Sequence, residues 1–352
     1  MKSEKTLLIA LSSLLIAGTA YGQVELTLTG STAFRSIAFD RVQNLYDPGS
    51  LTLLTYDSNR RTYSGTVSNT VPALGNTVVT VYLGFSGSAS GMLAVKNQTL
   101  IQVANLNSNL VSKAADLSFS DVFPGSATPP IPESSFDRAV VGVVPFVFVR
   151  NNSLAGVNNI TRDQALLLMT ASGEGGMPAS YLGGTGADPV YLIGRDSGSG
   201  TRITTEKVIG FLGAPLLWAT NGTGGFVTTN GYSSGSNVKT VVGTVPNTIG
   251  YLGLGDASGI TNSATYLSLN GVAFSPATVA NGSYALWGYE HLVNRVGGLS
   301  ASQKLMSNAL IAAIQDDAFQ STNPLYAPNF VPLSAMQVER GADGGVITSK
   351  NF

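Results

Sequence analysis

The chain has 352 residues, with 19 Lys and Arg against 20 Asp and Glu, a formal net charge of -1 and a pI near 5.8. That balance leaves no electrostatic footprint for nucleic acid or an anionic membrane surface. An apolar fraction of 43% beside only 11% charged residues and 41 glycines describes a buried core with long polar loops, at a length that favours two lobes over one. The absence of cysteine excludes a disulfide framework, a thiolate metal site and a cysteine nucleophile, and a single histidine leaves no His-rich metal centre.

At the N-terminus, Lys2 and Lys5 precede the apolar run Leu7 to Gly18, and Ala20 and Gly22 place small residues where a signal peptidase reads them. Residues 1–22 therefore read as a cleavable secretory signal, and the mature chain is expected to begin near Gln23. No later run approaches the roughly 18 apolar residues of a membrane span. With no cysteine to carry a lipid anchor, the expected location is the periplasm or the exterior.

Val24 to Thr29 alternates like a strand, and Gly30-Ser31-Thr32-Ala33-Phe34 turns into a helical pattern through Ile37, Phe39, Val42 and Leu45. Leu51 to Tyr56 is a further strand, and residues 57–76 form a Ser/Thr/Asn-rich loop or hairpin insertion. Val78 to Phe85 is strongly apolar and runs into Ser86-Gly87-Ser88-Ala89-Ser90-Gly91 and a helix led by Met92, the second use of the strand, polar turn and helix device. Leu117 to Ser120 is a short buried strand ending at Asp121. Ala139 to Val149 is almost continuously apolar, as suits a strand covered on both faces or passing between two sheets. Thr161-Arg162-Asp163-Gln164 is a capping box ahead of a helix.

Pro189 to Gly194 leads into Arg195-Asp196-Ser197-Gly198-Ser199-Gly200-Thr201, and a helix is expected from Arg202 to Leu212, stopping at Gly213. This turn suits an oxyanion. Glycines let amides converge, the first-turn N–H groups of a helix are unsatisfied, its dipole adds about half a positive charge, and the arginine fork grips two oxygens at once. The same composition also suits a plain helix-capping turn. Residues 221–237 read as a flexible polar loop, Val238 to Leu252 as a helix and a strand, and Tyr266 to Phe274 as a hairpin through Asn270-Gly271. Tyr284 to Val293 is apolar and aromatic, with Trp287 and Tyr289 packing on one strand face and His291 structural. Ser302 to Ala318 is a helix, and the last dozen residues are too polar to place.

Taken in order, these segments resemble the periplasmic phosphate-binding proteins of ABC transporters, within the type II periplasmic binding protein group. Thr29 to Phe34 is similar to the family's first phosphate turn, Gly84 to Gly91 to its second, Asp116 to Asp121 to the segment ending in its ligand aspartate, and Arg195 to Thr201 to its Arg-x-x-Gly-Ser-Gly-Thr signature. Asn247 to Tyr251 and Asn329 to Arg340 echo further family segments. The resemblance implies a two-lobed α/β fold with two crossover strands and a ligand cleft between the lobes. The apolar strands place residues 23–140 plus 285–352 in one lobe and 141–284 in the other. It also implies phosphate contacts from the Ala33 and Phe34 amides, Thr32, Ser88, Asp121, Arg195, Ser199, Gly200 and Thr201, with Ser90 and Ser197 weaker candidates and Arg202 at the rim.

The chain departs from the family at Arg35, where proline is common, at Ser197, where a carboxylate often braces the arginine, and at Ala89. The implied function is binding of inorganic phosphate, with an ABC transporter permease as partner, no cofactor, no metal and no catalysis, in a monomer. Two alternatives stand beside it: an exported surface or matrix protein that keeps the fold, or a binder of another oxyanion. A phosphate-ester hydrolase is disfavoured, since an enzyme reading must use the one histidine or none, and no Gly-x-x-x-x-Gly-Lys-Ser/Thr loop or dinucleotide fingerprint occurs.

Overall fold

The computed structural model describes residues 23–170, 176–185, 187–260 and 263–350. The signal segment expected over residues 1–22 lies outside the described residues. Eleven strands share one mixed sheet: β1 (Val24–Gly30), β2 (Thr52–Thr55), β3 (Arg60–Gly65), β4 (Val79–Gly84), β5 (Leu117–Ser120), β6 (Phe136–Asn151), β7 (Met177–Pro178), β8 (Pro189–Ile193), β9 (Thr248–Gly253), β10 (Ala264–Tyr266) and β11 (Trp287–Arg295). Their order is β7-β8-β9-β6-β11-β5-β1-β4-β3-β2, with β10 also paired to β6.

Residues 24–120 thus supply one flank of the sheet and residues 177–253 the other, and the two long strands β6 and β11 lie side by side between them. β6 does the joining. Residues 136–145 pair antiparallel with β11, and its continuation from Phe146 to Arg150 pairs with β9. From Val141 to Asn151 every residue of β6 is buried, as its continuous apolar run requires. On each flank the strands that matter are parallel: β1 beside β4 and β5, and β8 beside β9. Their carboxyl ends all point to the same region, where α/β sheets place ligands.

Helices cover the sheet: α1 (Arg35–Gln43), α2 (Ser88–Asn97), α3 (Arg162–Thr170), α4 (Gly200–Ile209), α5 (Gly235–Thr244), α6 (Leu254–Ala257), α7 (Pro276–Ala280), α8 (Ala301–Gln315) and α9 (Asp317–Thr322). Several begin at side-chain caps, with Ser234 capping α5, Ser300 and Gln303 forming a capping box on α8, and Asp316 capping α9, whereas α1 and α2 start without one. An aromatic chain ties β1, β5 and the C-terminal segment together: Phe34 lies 5.5 Å from Phe119 and 5.3 Å from Phe330, ring centre to ring centre. Each such buried ring contributes about 1.5–3 kcal/mol of burial free energy.

Several sequence expectations need correction. α4 begins at Gly200 and ends at Ile209, because Gly210 adopts φ 75° and closes the last turn with its N–H on the Glu206 and Lys207 carbonyls, three residues before Gly213. Residues 221–237 are not a free loop: Leu217–Thr220 pairs with Phe226–Thr229, and Tyr232 bridges to Arg195. Asn270 and Gly271 do form a left-handed turn, but it closes only the Leu269–Val272 bridge, since Ser268–Leu269 pairs instead with Asn159–Ile160. The insertion at 57–76 is a hairpin, with β3 joining the main sheet between β2 and β4.

Candidate anion site

Three helices begin at the carboxyl ends of three parallel strands, α1 after β1, α2 after β4 and α4 after β8. Their first-turn amides lack intrahelical partners by construction. Among the described residues, the N–H groups of Thr32, Ala33, Phe34, Ser88, Gly200 and Thr201 find no acceptor elsewhere either. All six residues are buried, so these donors have little access to bulk water. The α2 amides of Ala89 and Ser90 are already used, donating to the Gly198 carbonyl at 3.0 and 3.4 Å. That contact joins the second turn directly to the central one.

Arg195 sits at the centre and is 1% exposed. Its Nη1 donates to Thr32 Oγ1 at 2.9 Å, its Nε to the Tyr232 carbonyl at 3.0 Å and its Nη2 to the Ser233 carbonyl at 2.9 Å. No carboxylate lies within ion-pair distance of it among the described residues. Burial pulls the guanidinium below its usual range, and Asp196, Asp256 and Asp121 oppose that from a distance. Position 197, a serine, is exposed and gives no brace. Two main-chain carbonyls take that role, which fixes the fork while leaving its charge uncompensated.

Asp121 is the second buried charge, 1% exposed at the end of β5. Ser88 Oγ donates to its Oδ1 at 2.5 Å and Ser31 Oγ to its Oδ2 at 3.3 Å. Burial raises its carboxyl above the ordinary value, while the Ser88 bond, the Arg195 charge and the Ser31 bond pull the other way. Gly200 passes so close that a Cβ there would stand 1.5 Å from Asp121 Oδ1 and 2.7 Å from Ser88 Oγ. A side chain at position 200 would occupy the junction of the two turns and the aspartate.

The structure therefore brings Thr32, Ala33, Phe34, Ser88, Asp121, Arg195, Ser199, Gly200 and Thr201 into one buried cluster. Ser199 also caps α4, accepting from the Arg202 amide at 3.4 Å, so the capping reading of the central turn holds for that hydroxyl. Ser90 and Ser197 are exposed. Asp196 folds back onto the Gly198 amide at 3.2 Å. Arg202 bonds Glu206 at 2.7 Å and the Arg195 carbonyl at 3.2 Å, which stiffens the turn from outside.

No family model matches the chain. It is similar to the phosphate-binding protein PstS of Bacillus subtilis, at 26% identity over 206 residues, which are 58% of this chain and 60% of that protein. The chain thus spans 60% of the length of the curated relative it matches. A phosphate ABC transporter substrate-binding protein with bound phosphate from Clostridium perfringens superposes with a TM-score of 0.60 at 15% identity, covering 88% of this chain and 99% of that one. An ABC-type phosphate transport receptor from Vibrio cholerae gives 0.50 at 16% identity, covering 81% and 93%. The fold is that of the two-lobed periplasmic binding proteins.

Within this periplasmic binding protein fold, sequence reasoning missed four contributors. Ser31 lies inside the quoted first turn yet was not singled out, although it bonds Asp121. The Tyr232 and Ser233 carbonyls hold Arg195 through main-chain atoms, which leave no residue signature. Arg35 bonds the Thr32 carbonyl at 2.8 Å and pairs with Asp256 of α6 at 2.6 Å, so this residue links the two flanks of the sheet.

Proposed function

We propose that this protein is an exported solute-binding protein that holds inorganic phosphate between two lobes, residues 23–140 with 285–352 and residues 141–284, and hands it to an ABC transporter permease. The observation that carries the reading is the pairing of unsatisfied donors with a selective acceptor. Six buried amides and an arginine without a carboxylate partner call for an anion. Asp121, set among them, repels an anion that has no proton to donate.

Phosphate near neutral pH retains at least one hydroxyl, whereas sulfate has none. The carboxylate accepts from the first and faces bare charge in the second. The names of the relatives support this ligand and support binding rather than catalysis. Among the described residues no helix is long and apolar enough to cross a membrane, in keeping with a binding protein that works outside the bilayer.

Titration calorimetry on refolded, phosphate-stripped protein tests the reading. Phosphate and arsenate bind, and sulfate binds at least about a thousandfold more weakly. Absence of phosphate binding, or equal affinity for sulfate, overturns it.

A further inference from the structure

Glu290 of β11 is fully buried, and no donor meets either of its carboxyl oxygens. The β11–β5 ladder pairs His291 with Ser120 in antiparallel register. That pair is the last of the ladder; the next residues are Glu290 on β11 and Asp121, the turn residue that follows β5, whose carbonyl lies over Gly288 and whose charge acts on Glu290. The irregularity between Glu290 and His291 belongs to the other edge, where Glu290 pairs with Gly142 and His291 with Val140, so β11 itself runs on unbroken beside β5. The groups around Glu290 are Asp121, the Ser31 hydroxyl, and the Tyr326 hydroxyl above Gly142. Arg195 stands beyond Asp121, and no cation is ion-paired with Glu290 among the described residues.

Two neighbouring buried carboxylates that share only the Ser31 hydroxyl, which already donates to Asp121, are untenable when both are ionised, and a proton resolves the conflict. Asp121 already has Ser88, Ser31 and the Arg195 charge to favour its ionised form. Glu290 has no comparable support. Burial, and then the Asp121 charge, push its carboxyl well above the ordinary value, with Ser31 opposing weakly.

We propose that Glu290 is a carboxylic acid that donates to the Ser31–Asp121 pair, and that this donation makes it a specificity-determining positioning residue, keeping Asp121 ionised and turned toward the anion. The inference rests on the reading of the site as a phosphate site. An Asp121 deprived of that donor loses one of the contacts that hold its ionised carboxylate toward the anion, and its discrimination against sulfate weakens.

The test uses the full chain with Glu290→Gln, which keeps a neutral donor, and Glu290→Met, which removes it. Infrared difference spectra show the carbonyl stretch of a protonated carboxyl in the wild type and its loss in Glu290→Gln. Competition calorimetry shows a phosphate-to-sulfate affinity ratio retained within about threefold by Gln and reduced about tenfold or more by Met. Thermal melts confirm that each variant is folded; if Met does not fold, the Gln ratio and the acid band decide. No acid band in the wild type, or the same ratio in Gln and Met, overturns the proposal. If the wild type binds no phosphate, the functional reading fails, while the acid band still reports on Glu290.

Discussion

Replacing Arg195 by methionine separates what the guanidinium does for the fold from what it does for the ligand. The side chain is 1% exposed, makes three hydrogen bonds of 2.9 to 3.0 Å, and has no carboxylate partner. In the ligand-free protein the substitution forfeits those bonds but also removes a buried charge, and Ser233 is an exposed residue whose carbonyl can turn to water. Terms of about 1 kcal/mol per hydrogen bond against a desolvation penalty of several kcal/mol leave stability changed by no more than about 1–2 kcal/mol. In the complex nothing offsets the loss. Truncating one partner of a buried charged contact costs about 2–5 kcal/mol, or roughly 30- to 5,000-fold in affinity. Titration of phosphate-stripped Arg195→Met at fixed ionic strength, with a thermal melt alongside, reads both quantities. An affinity within about threefold of the wild type shows that the arginine is not the clamp. A collapsed melting temperature shows that it is a structural brace instead.

Asp121→Asn narrows the gap between phosphate and sulfate by removing the repulsion, chiefly through tighter sulfate binding; an unchanged gap in competition titrations contradicts the role given to the carboxylate. Gly200→Ala puts a methyl 1.5 Å from Asp121 Oδ1, so the carboxylate must move by more than an ångström, and phosphate affinity falls by about 100-fold with the circular dichroism spectrum unchanged. His291 is held neutral, with burial and then Arg138 lowering it from 6.5 to about 3. The folded state therefore binds fewer protons than the unfolded chain, and stability is lost as pH falls below 6.5, by about 2 kcal/mol between pH 6.5 and 5. His291→Phe, which keeps a ring against Phe123 at the 4.8 Å contact, flattens that loss in urea melts taken at the two pH values.

Elements whose residues follow period and punctuation were legible. β1, β4, β5 and β8 each run apolar into a polar turn, and the Thr161 capping box announces a helix whatever surrounds it. The same logic misplaced the end of α4, because Gly210 and Gly213 are equivalent in sequence and only the packing of the last turn selects the first. The site was legible where function resides in side chains at turns, as at Arg195 and Asp121. It was opaque where function resides in main-chain carbonyls or in register. Tyr232 and Ser233 carry no sign that their carbonyls face a guanidinium. Glu290 looks like a lone charge in an apolar strand until β11 is laid beside β5, 171 positions away in the chain by the pairing of His291 with Ser120.

The Arg35–Asp256 pair bears on timing. Its two side chains are 13% and 7% exposed, and Arg35 also reaches Ser236 Oγ at 3.3 Å, so one residue at the start of α1 holds both α5 and α6 from the opposite flank. A shielded contact of this kind is little weakened by added salt. Separating the flanks requires breaking it, and that requirement enters the barrier to opening. Most differences in affinity among related complexes lie in the dissociation rate, and a closure with its own protein contacts lengthens residence time in that way. In the proposed role, discharge is slow, and the receiving permease must prise Arg35 from Asp256 before the anion can leave.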